Sequence, residues 1–135
     1  MPHAKLWSLW TALLVSLTFG LMVGMVEAAE GYATYYTVAS CQREGTSGVW
    51  TANGERYQEN ALTCALPSRQ FGQRVQVCGK QTGTCLTLRQ NDYGPGKKAR
   101  SRGVIVDLTP TAFQQVCGAL RQGRCQVVLT AIPAP

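Results

Sequence analysis

Apolar and polar residues alternate in short runs along most of this chain. Gly31 to Thr37, Arg74 to Val77, Cys85 to Arg89, Val104 to Leu108 and Gln126 to Ile132 each carry the two-residue period of a strand with one face to a core and one to water. In Arg74-Val75-Gln76-Val77 and Leu86-Thr87-Leu88-Arg89 every second residue is apolar, and the intervening Gly79 to Thr84 holds two glycines, which predicts a hairpin. One helix is signalled, from Pro110 to Cys117. Thr109 supplies a side-chain cap, Pro110 suits the first helical position and Gly118 ends the run. Repeats, low-complexity tracts and charge blocks are absent, and the Pro133-Ala134-Pro135 tail is expected to fray. The pattern is that of an all-β domain.

The N-terminus breaks this pattern. Lys5 precedes an uncharged run from Leu6 to Val26, and Glu27 and Glu30 restore polarity, as in an export signal. Val26 and Ala28 occupy the small-residue positions of a cleavage site, so residues 1–28 read as signal peptide and 29–135 as a single folded domain. If uncleaved, the run is long enough to anchor the domain in a membrane. Either way the domain is expected outside the cytoplasm, in the periplasm or beyond. No cysteine near the cut could take a lipid.

Composition sharpens the chemistry. Cys41, Cys64, Cys78, Cys85, Cys117 and Cys125 all follow the signal, an even number that predicts three disulfides in a small secreted domain, each contributing about 2–4 kcal/mol. Cys78 and Cys85 flank the hairpin turn, and pairing of sequence neighbours would also join Cys41 with Cys64 and Cys117 with Cys125. The formal charge of +6 points to a polyanionic partner such as wall polymer, peptidoglycan carboxylates or acidic polysaccharide, unless it serves solubility alone. The basic residues are scattered rather than interleaved with stacking aromatics, which argues against nucleic acid.

The only histidine, His3, lies in the signal. Serine and cysteine nucleophiles that need an imidazole base, and catalytic zinc, fall away, and no metal or cofactor is expected. Carboxylates and tyrosines remain, the tools of glycoside cleavage. Asp92 ends a strand beside a Gly94-Pro95 turn, where a side chain can face a groove or bond its own turn. Asp107 follows Val104-Ile105-Val106, where desolvation would raise its pKa, although it could instead serve the helix that follows. Glu55 follows the Asn53-Gly54 turn and alone reads as a solvated turn residue.

Taken in order, Thr51-Ala52-Asn53-Gly54-Glu55-Arg56-Tyr57, Ala61-Leu62-Thr63, Phe71-Gly72-Gln73-Arg74-Val75-Gln76-Val77, Asn91-Asp92-Tyr93-Gly94-Pro95 and Val106-Asp107-Leu108-Thr109-Pro110-Thr111-Ala112-Phe113 resemble the rare lipoprotein A (RlpA) family. The resemblance covers nearly the whole exported domain. It implies a six-stranded double-psi β-barrel with one or two short helices, related to expansins and barwin-like proteins, and a shallow glycan groove. It also implies lytic transglycosylase activity on peptidoglycan, in which the sugar's own 6-hydroxyl attacks and one carboxyl group serves as acid and then base. By position Asp92 corresponds to the family's proposed catalytic aspartate, Glu55 to an acid of the same groove, and Asp107 to the aspartate on which expansin activity depends. Leu66 stands where such enzymes usually carry a histidine.

The first expectation is therefore a monomeric, wall-remodelling transglycosylase. Asp92 is its acid/base, Asp107 tunes that proton affinity and Glu55 contacts sugar. Tyr35, Tyr36 and Trp50 stack on pyranose faces, and Asn53, Tyr93 and Arg89 complete the substrate contacts. A second expectation is a non-catalytic module that binds or loosens wall polysaccharide as expansins do, motivated by Leu66 and the basic charge. A third is a secreted protein-binding inhibitor.

Overall fold

The computed structural model describes residues 27–46 and 48–135. The expected signal, apart from Glu27 and Ala28, lies outside those residues. In chain order the elements are β1 (Ala28–Tyr35), α1 (Val38–Arg43), β2 (Thr63–Leu66), β3 (Arg74–Gly79), β4 (Cys85–Tyr93), α2 (Lys97–Arg100), β5 (Val104–Leu108), α3 (Pro110–Cys117) and β6 (Arg124–Ile132). A short 3₁₀ turn at Leu120–Gln122 precedes β6. The strands close into a barrel in the order β1-β5-β2-β4-β3-β6. The pairs β1/β5 and β2/β4 are parallel, and the other four are antiparallel. This is the six-stranded barrel the motifs imply.

Alternation along the strands fills the interior. Val75 and Val77 of β3, Leu88 of β4, Val106 and Leu108 of β5 and Val127 of β6 are buried in one cluster. The α3 helix packs Ala112, Phe113 and Val116 against that cluster. Its start is as expected: the Thr109 side chain accepts from the Ala112 amide, and Pro110 occupies the first turn. The Thr109 hydroxyl also donates to the Ala61 carbonyl at 2.6 Å, tying the helix to the chain that enters β2. The β3/β4 hairpin forms where the two alternating runs predict it.

Three elements depart from the expectation. Thr63–Leu66 is a strand although its four residues are all buried, so it carries no alternation to read. The first strand ends at Tyr35, and Thr37 instead caps α1 through a reciprocal pair of bonds with Ser40. With α1 and α2 the described residues hold three short α-helices rather than one or two.

The cysteines also differ. Cys78–Cys85 and Cys117–Cys125 are bridged as sequence adjacency suggests, but Cys41 and Cys64 carry free thiols. Cys64 belongs to the barrel's hydrophobic core, whereas Cys41 sits on α1 and borders an open groove, so the two sulfurs occupy different environments. Burial pushes the Cys64 thiol up to about 12. A thiol-specific alkylating reagent is therefore expected to label Cys41 in the native protein and Cys64 only after unfolding. Mass spectrometry showing neither cysteine labelled under denaturing, non-reducing conditions would restore the third disulfide.

Candidate active site

The barrel's pairing register lays four residues side by side across four strands. Asp92 of β4 pairs with Ala65 of β2, Ala65 with Asp107 of β5, and Asp107 with Thr34 of β1. Two strand spacings separate the backbones of the carboxylates by about 10 Å. Only the Ala65 methyl stands between them in the row. Gly94 closes the row on one side: its φ is +155°, and a Cβ there would lie 3.2 Å from the Asp107 carboxylate and 3.6 Å from the Ala65 methyl. A side chain at position 94 would thus be strained and would crowd both residues.

Asp92 is pinned. Its Oδ1 accepts from the amides of Ala52 and Tyr93, both at 2.9 Å, and its Oδ2 accepts from the Tyr36 hydroxyl at 3.0 Å. The bond to Tyr93 is local, as a turn reading would have it, but Asp92 still lines a cavity of about 250 Å³ with Tyr36, Cys41, Trp50, Tyr57 and Tyr93. Tyr36 stacks on Tyr57 at 4.7 Å between ring centroids, and the Tyr57 hydroxyl donates to the Tyr36 carbonyl at 2.5 Å. Burial first, and the Asp92 charge second, push the Tyr36 phenol far above its usual range, so it remains a donor toward Asp92.

Asp107 differs in kind. Its strand neighbours Val106 and Leu108 point into the core, while Asp107 turns to the other face, beneath α1. There it lines a second cavity of about 560 Å³ with Thr34, Tyr35, Thr37, Arg43 and Glu44. Tyr36 and Glu44 border both cavities, which makes one continuous groove. Burial raises the Asp107 carboxyl from 3.8 to about 6; the hydroxyl of Thr34, which donates to its Oδ1, opposes the rise, and the charges of Glu44 and Asp92 add to it. The carboxylate makes no capping bond to α3, whose cap is Thr109.

Glu55, expected at the site, is occupied elsewhere. Arg89 grips its two oxygens at 2.5 and 2.9 Å, and the side-chain amides of Asn53 and Asn91 donate at 2.9 and 3.2 Å. These bonds, Arg89 foremost, hold its carboxyl down at about 2, so it stays ionised and cannot supply a proton at neutral pH. Glu55, Asn53 and Arg89 form an anchor that fastens the 51–57 loop to β4, and none of them lines the groove. Tyr35 borders the Asp107 cavity, but its ring packs on Phe113 at 5.0 Å. Of the expected sugar contacts, Tyr36, Trp50 and Tyr93 line the groove, and Trp50 and Tyr93 are 59% and 46% exposed. Arg69 lies 4.7 Å over the Tyr93 ring and steadies it.

The sequence reading missed Thr34, Glu44, Tyr57 and Ala65. Thr34 and Ala65 reach Asp107 only through non-local pairing. Glu44 arrives as the C-cap of α1, whose signal was the spacing of Thr37 and Ser40.

Two stability predictions follow from the opposite shifts. The folded Asp107 pKa of about 6 exceeds its ordinary 3.8. Between those values the folded chain keeps a proton the unfolded chain has released, so stability falls as pH rises through that window, by about 2–3 kcal/mol in all. Denaturant titration of Asp107→Asn is expected to show a gain of up to about 2 kcal/mol at pH 8 that vanishes near pH 3.5. A loss at pH 8 would mean that the ionised carboxylate is well solvated in the fold. Glu55 has the reverse sign: its contribution is complete above 4.5 and is lost as pH falls toward about 2. Because both partners are about two-fifths exposed, Glu55→Gln is expected to cost about 1 kcal/mol or less at pH 7 and little at pH 2.

Known proteins resemble this chain to different degrees. A family model described as lytic transglycolase matches residues 28–129. A Synechocystis protein named "Probable endolytic peptidoglycan transglycosylase RlpA" is 35% identical over 107 residues, covering 76% of this chain and 32% of that protein. The chain thus spans about a third of that relative's length. Among solved structures, a Streptomyces papain inhibitor aligns with a TM-score of 0.58 at 18% identity, over 79% of this chain and 96% of the inhibitor. A mutant Clavibacter michiganensis expansin in complex with cellohexaose aligns with a TM-score of 0.57 at 16% identity, over 81% of this chain and 52% of the expansin. At such identities the two structures speak for the fold. The family match spans the first five strands, most of β6 and both aspartates of the groove, and the chain belongs to the RlpA-like lytic transglycolase family of double-psi β-barrels.

Proposed function

We propose that this domain cleaves the glycan strands of bacterial peptidoglycan as a lytic transglycosylase, with Asp107 as the proton carrier and Asp92 as the fixed negative charge. The observation that carries the reading is the pairing of a half-buried carboxyl raised to about 6 with a second carboxylate, pinned by three hydrogen bonds, along one groove. These roles reverse the sequence expectation, which gave the proton to Asp92. Environment is the reason: desolvation raises the Asp107 carboxyl toward its protonated form, while three hydrogen bonds fix Asp92 in place.

Protonated Asp107 gives its proton to the glycosidic oxygen as the bond from that oxygen to the anomeric carbon breaks, and the leaving sugar departs as an alcohol. Positive charge developing on the ring faces the Asp92 carboxylate. The 6-hydroxyl of the same sugar attacks the anomeric carbon, and its proton returns to Asp107. The product is a 1,6-anhydro end; no water is consumed and the enzyme regains its starting state. Tyr36 steadies Asp92, and the exposed rings of Trp50 and Tyr93 suit stacking on pyranose faces.

The reading requires a domain outside the cytoplasm, which its two disulfides favour. The family name and the Synechocystis relative support peptidoglycan as substrate. A second reading, polysaccharide binding without cleavage, is favoured by Leu66, which is packed in the core, and by the cellohexaose held by the expansin of the same fold.

Purified domain incubated with peptidoglycan is expected to release fragments with 1,6-anhydro ends, identified by mass spectrometry. The rate should fall as pH rises through about 6, as Asp107 loses its proton. Asp107→Asn is expected to lose about 10²- to 10⁴-fold. Equal product from wild type and Asp107→Asn would remove the proton carrier, and strand binding with no anhydro product from wild type would leave the binding reading.

A further inference from the structure

The row that runs from Asp92 to Thr34 continues across one more strand. Thr34 of β1 pairs with Arg124 of β6, and Tyr32 pairs with Gln126. Ala33 and Cys125, which lie between them, are buried, so Tyr32, Thr34, Arg124 and Gln126 face outward. Gly123 borders the Asp107 cavity, and its neighbour Arg124 borders the next hollow along the barrel. That hollow, of about 290 Å³, is walled by Tyr32, Gln81, Gln122, Arg124 and Gln126. A further hollow of about 190 Å³ shares Tyr32 and Gln126 with it and adds Glu30, Gly31 and Lys80. The surface is assembled by folding, from β1, the turn between β3 and β4, and the chain that enters β6.

Tyr32 stands at the centre of this surface, half-buried and braced. The Arg124 guanidinium lies 4.2 Å from the centroid of its ring. Its amide donates to the Gly103 carbonyl at 2.9 Å, and a Cβ at Gly103 would sit 3.4 Å from the ring. The Gln122 side-chain amide donates to the Cys117 carbonyl at 2.9 Å, and the Cys117–Cys125 bridge fastens the end of α3 to the start of β6 beside Arg124. The two cations of the hollows are engaged, Arg124 by the ring and Lys80 by Glu30 at 2.9 Å. What remains is an aromatic plane edged by glutamine amides. Such a plane suits the C–H face of a pyranose, and an amide both donates to and accepts from sugar hydroxyls.

We propose that Tyr32, with Gln81 and Gln126 beside it, forms a distal sugar subsite that holds the glycan strand beyond Asp107. The inference deepens the reading of the groove as a glycan site and rests on it. Tyr32 lies two residues along β1 from Thr34, about 7 Å, and Thr34 is the cross-strand neighbour of both Asp107 and Arg124. A strand that passes Asp107 and Thr34 therefore meets Tyr32 next. Holding the strand at a point remote from the reacting bond limits its sliding and keeps a glycosidic oxygen over the carboxyl.

The test uses the full chain carrying Asp107→Asn, so that strands are not consumed, and long peptide-free glycan strands as the probe. Hydroxyl-radical footprinting read by mass spectrometry is expected to show that bound strands protect Tyr32 together with Trp50 and Tyr93. Adding Tyr32→Ala should weaken strand binding roughly five- to tenfold, with circular dichroism unchanged, whereas Tyr32→Phe, which keeps the ring, should stay within about twofold. Protection of Trp50 and Tyr93 without Tyr32, unchanged binding by the Tyr32→Ala protein, or a loss in Tyr32→Phe as large as in Tyr32→Ala would each overturn the subsite. Protection of none of the three rings would overturn it together with the glycan reading of the groove. A wild-type protein that releases no anhydro product, with Tyr32 still protected, would instead defeat the catalytic reading and leave the subsite standing.

Discussion

The structure turns on the closure of the barrel through two parallel pairings, β1 with β5 and β2 with β4. Parallel neighbours cannot be joined by a tight turn, so the chain must cross over between them. The β2-to-β4 crossover is β3, whereas the longer stretch from β1 to β5 also carries α1, the 51–57 loop and α2, and all three come to the side of the barrel where Asp92 and Asp107 emerge. The register then aligns Asp92, Ala65, Asp107 and Thr34 in one row. A one-residue slip in any of these pairings would send a carboxylate into the apolar interior. The valines and leucines of the core therefore fix the chemistry indirectly, by fixing which face each aspartate takes.

Within that row two chemically equal side chains meet different surroundings. Asp107 has one neutral hydroxyl for company and lies beneath α1, so its ionised form is poorly supported. Asp92 receives two amides and a phenol. The cost of placing Asp107 there falls on stability at neutral pH, and a raised carboxyl is what the proposed bond cleavage needs. The Tyr36–Tyr57 stack serves both ends of this arrangement, since it covers the groove floor and aims a phenol at Asp92.

The opposite case is Glu55. Its motif position suggests an acid of the groove, yet its oxygens are filled by Arg89, Asn53 and Asn91, and its value lies in holding a loop. That loop supplies the Ala52 amide to Asp92, so Glu55 acts on the site through backbone position. The expected third disulfide fails for a related reason. An even count of cysteines states only that pairs are possible, and the fold sends Cys64 into the core while Cys41 rides on α1 at the groove.

What the residues determined alone was local. Alternation in Arg74 to Val77, Cys85 to Arg89 and Val104 to Leu108 encoded strands and their buried faces, and Thr109-Pro110 with Gly118 encoded α3, because such signals lie in neighbouring residues. Sequence motifs also named the family and both groove aspartates. Tertiary structure alone decided what surrounds each aspartate, since Thr34 lies 73 positions from Asp107, and Ala52 and Tyr36 lie 40 and 56 from Asp92. It likewise decided that Glu55 is neutralised by a residue 34 positions away. Proton affinity depends on desolvation and on charges brought close by folding, and no local pattern records which distant segments will provide them.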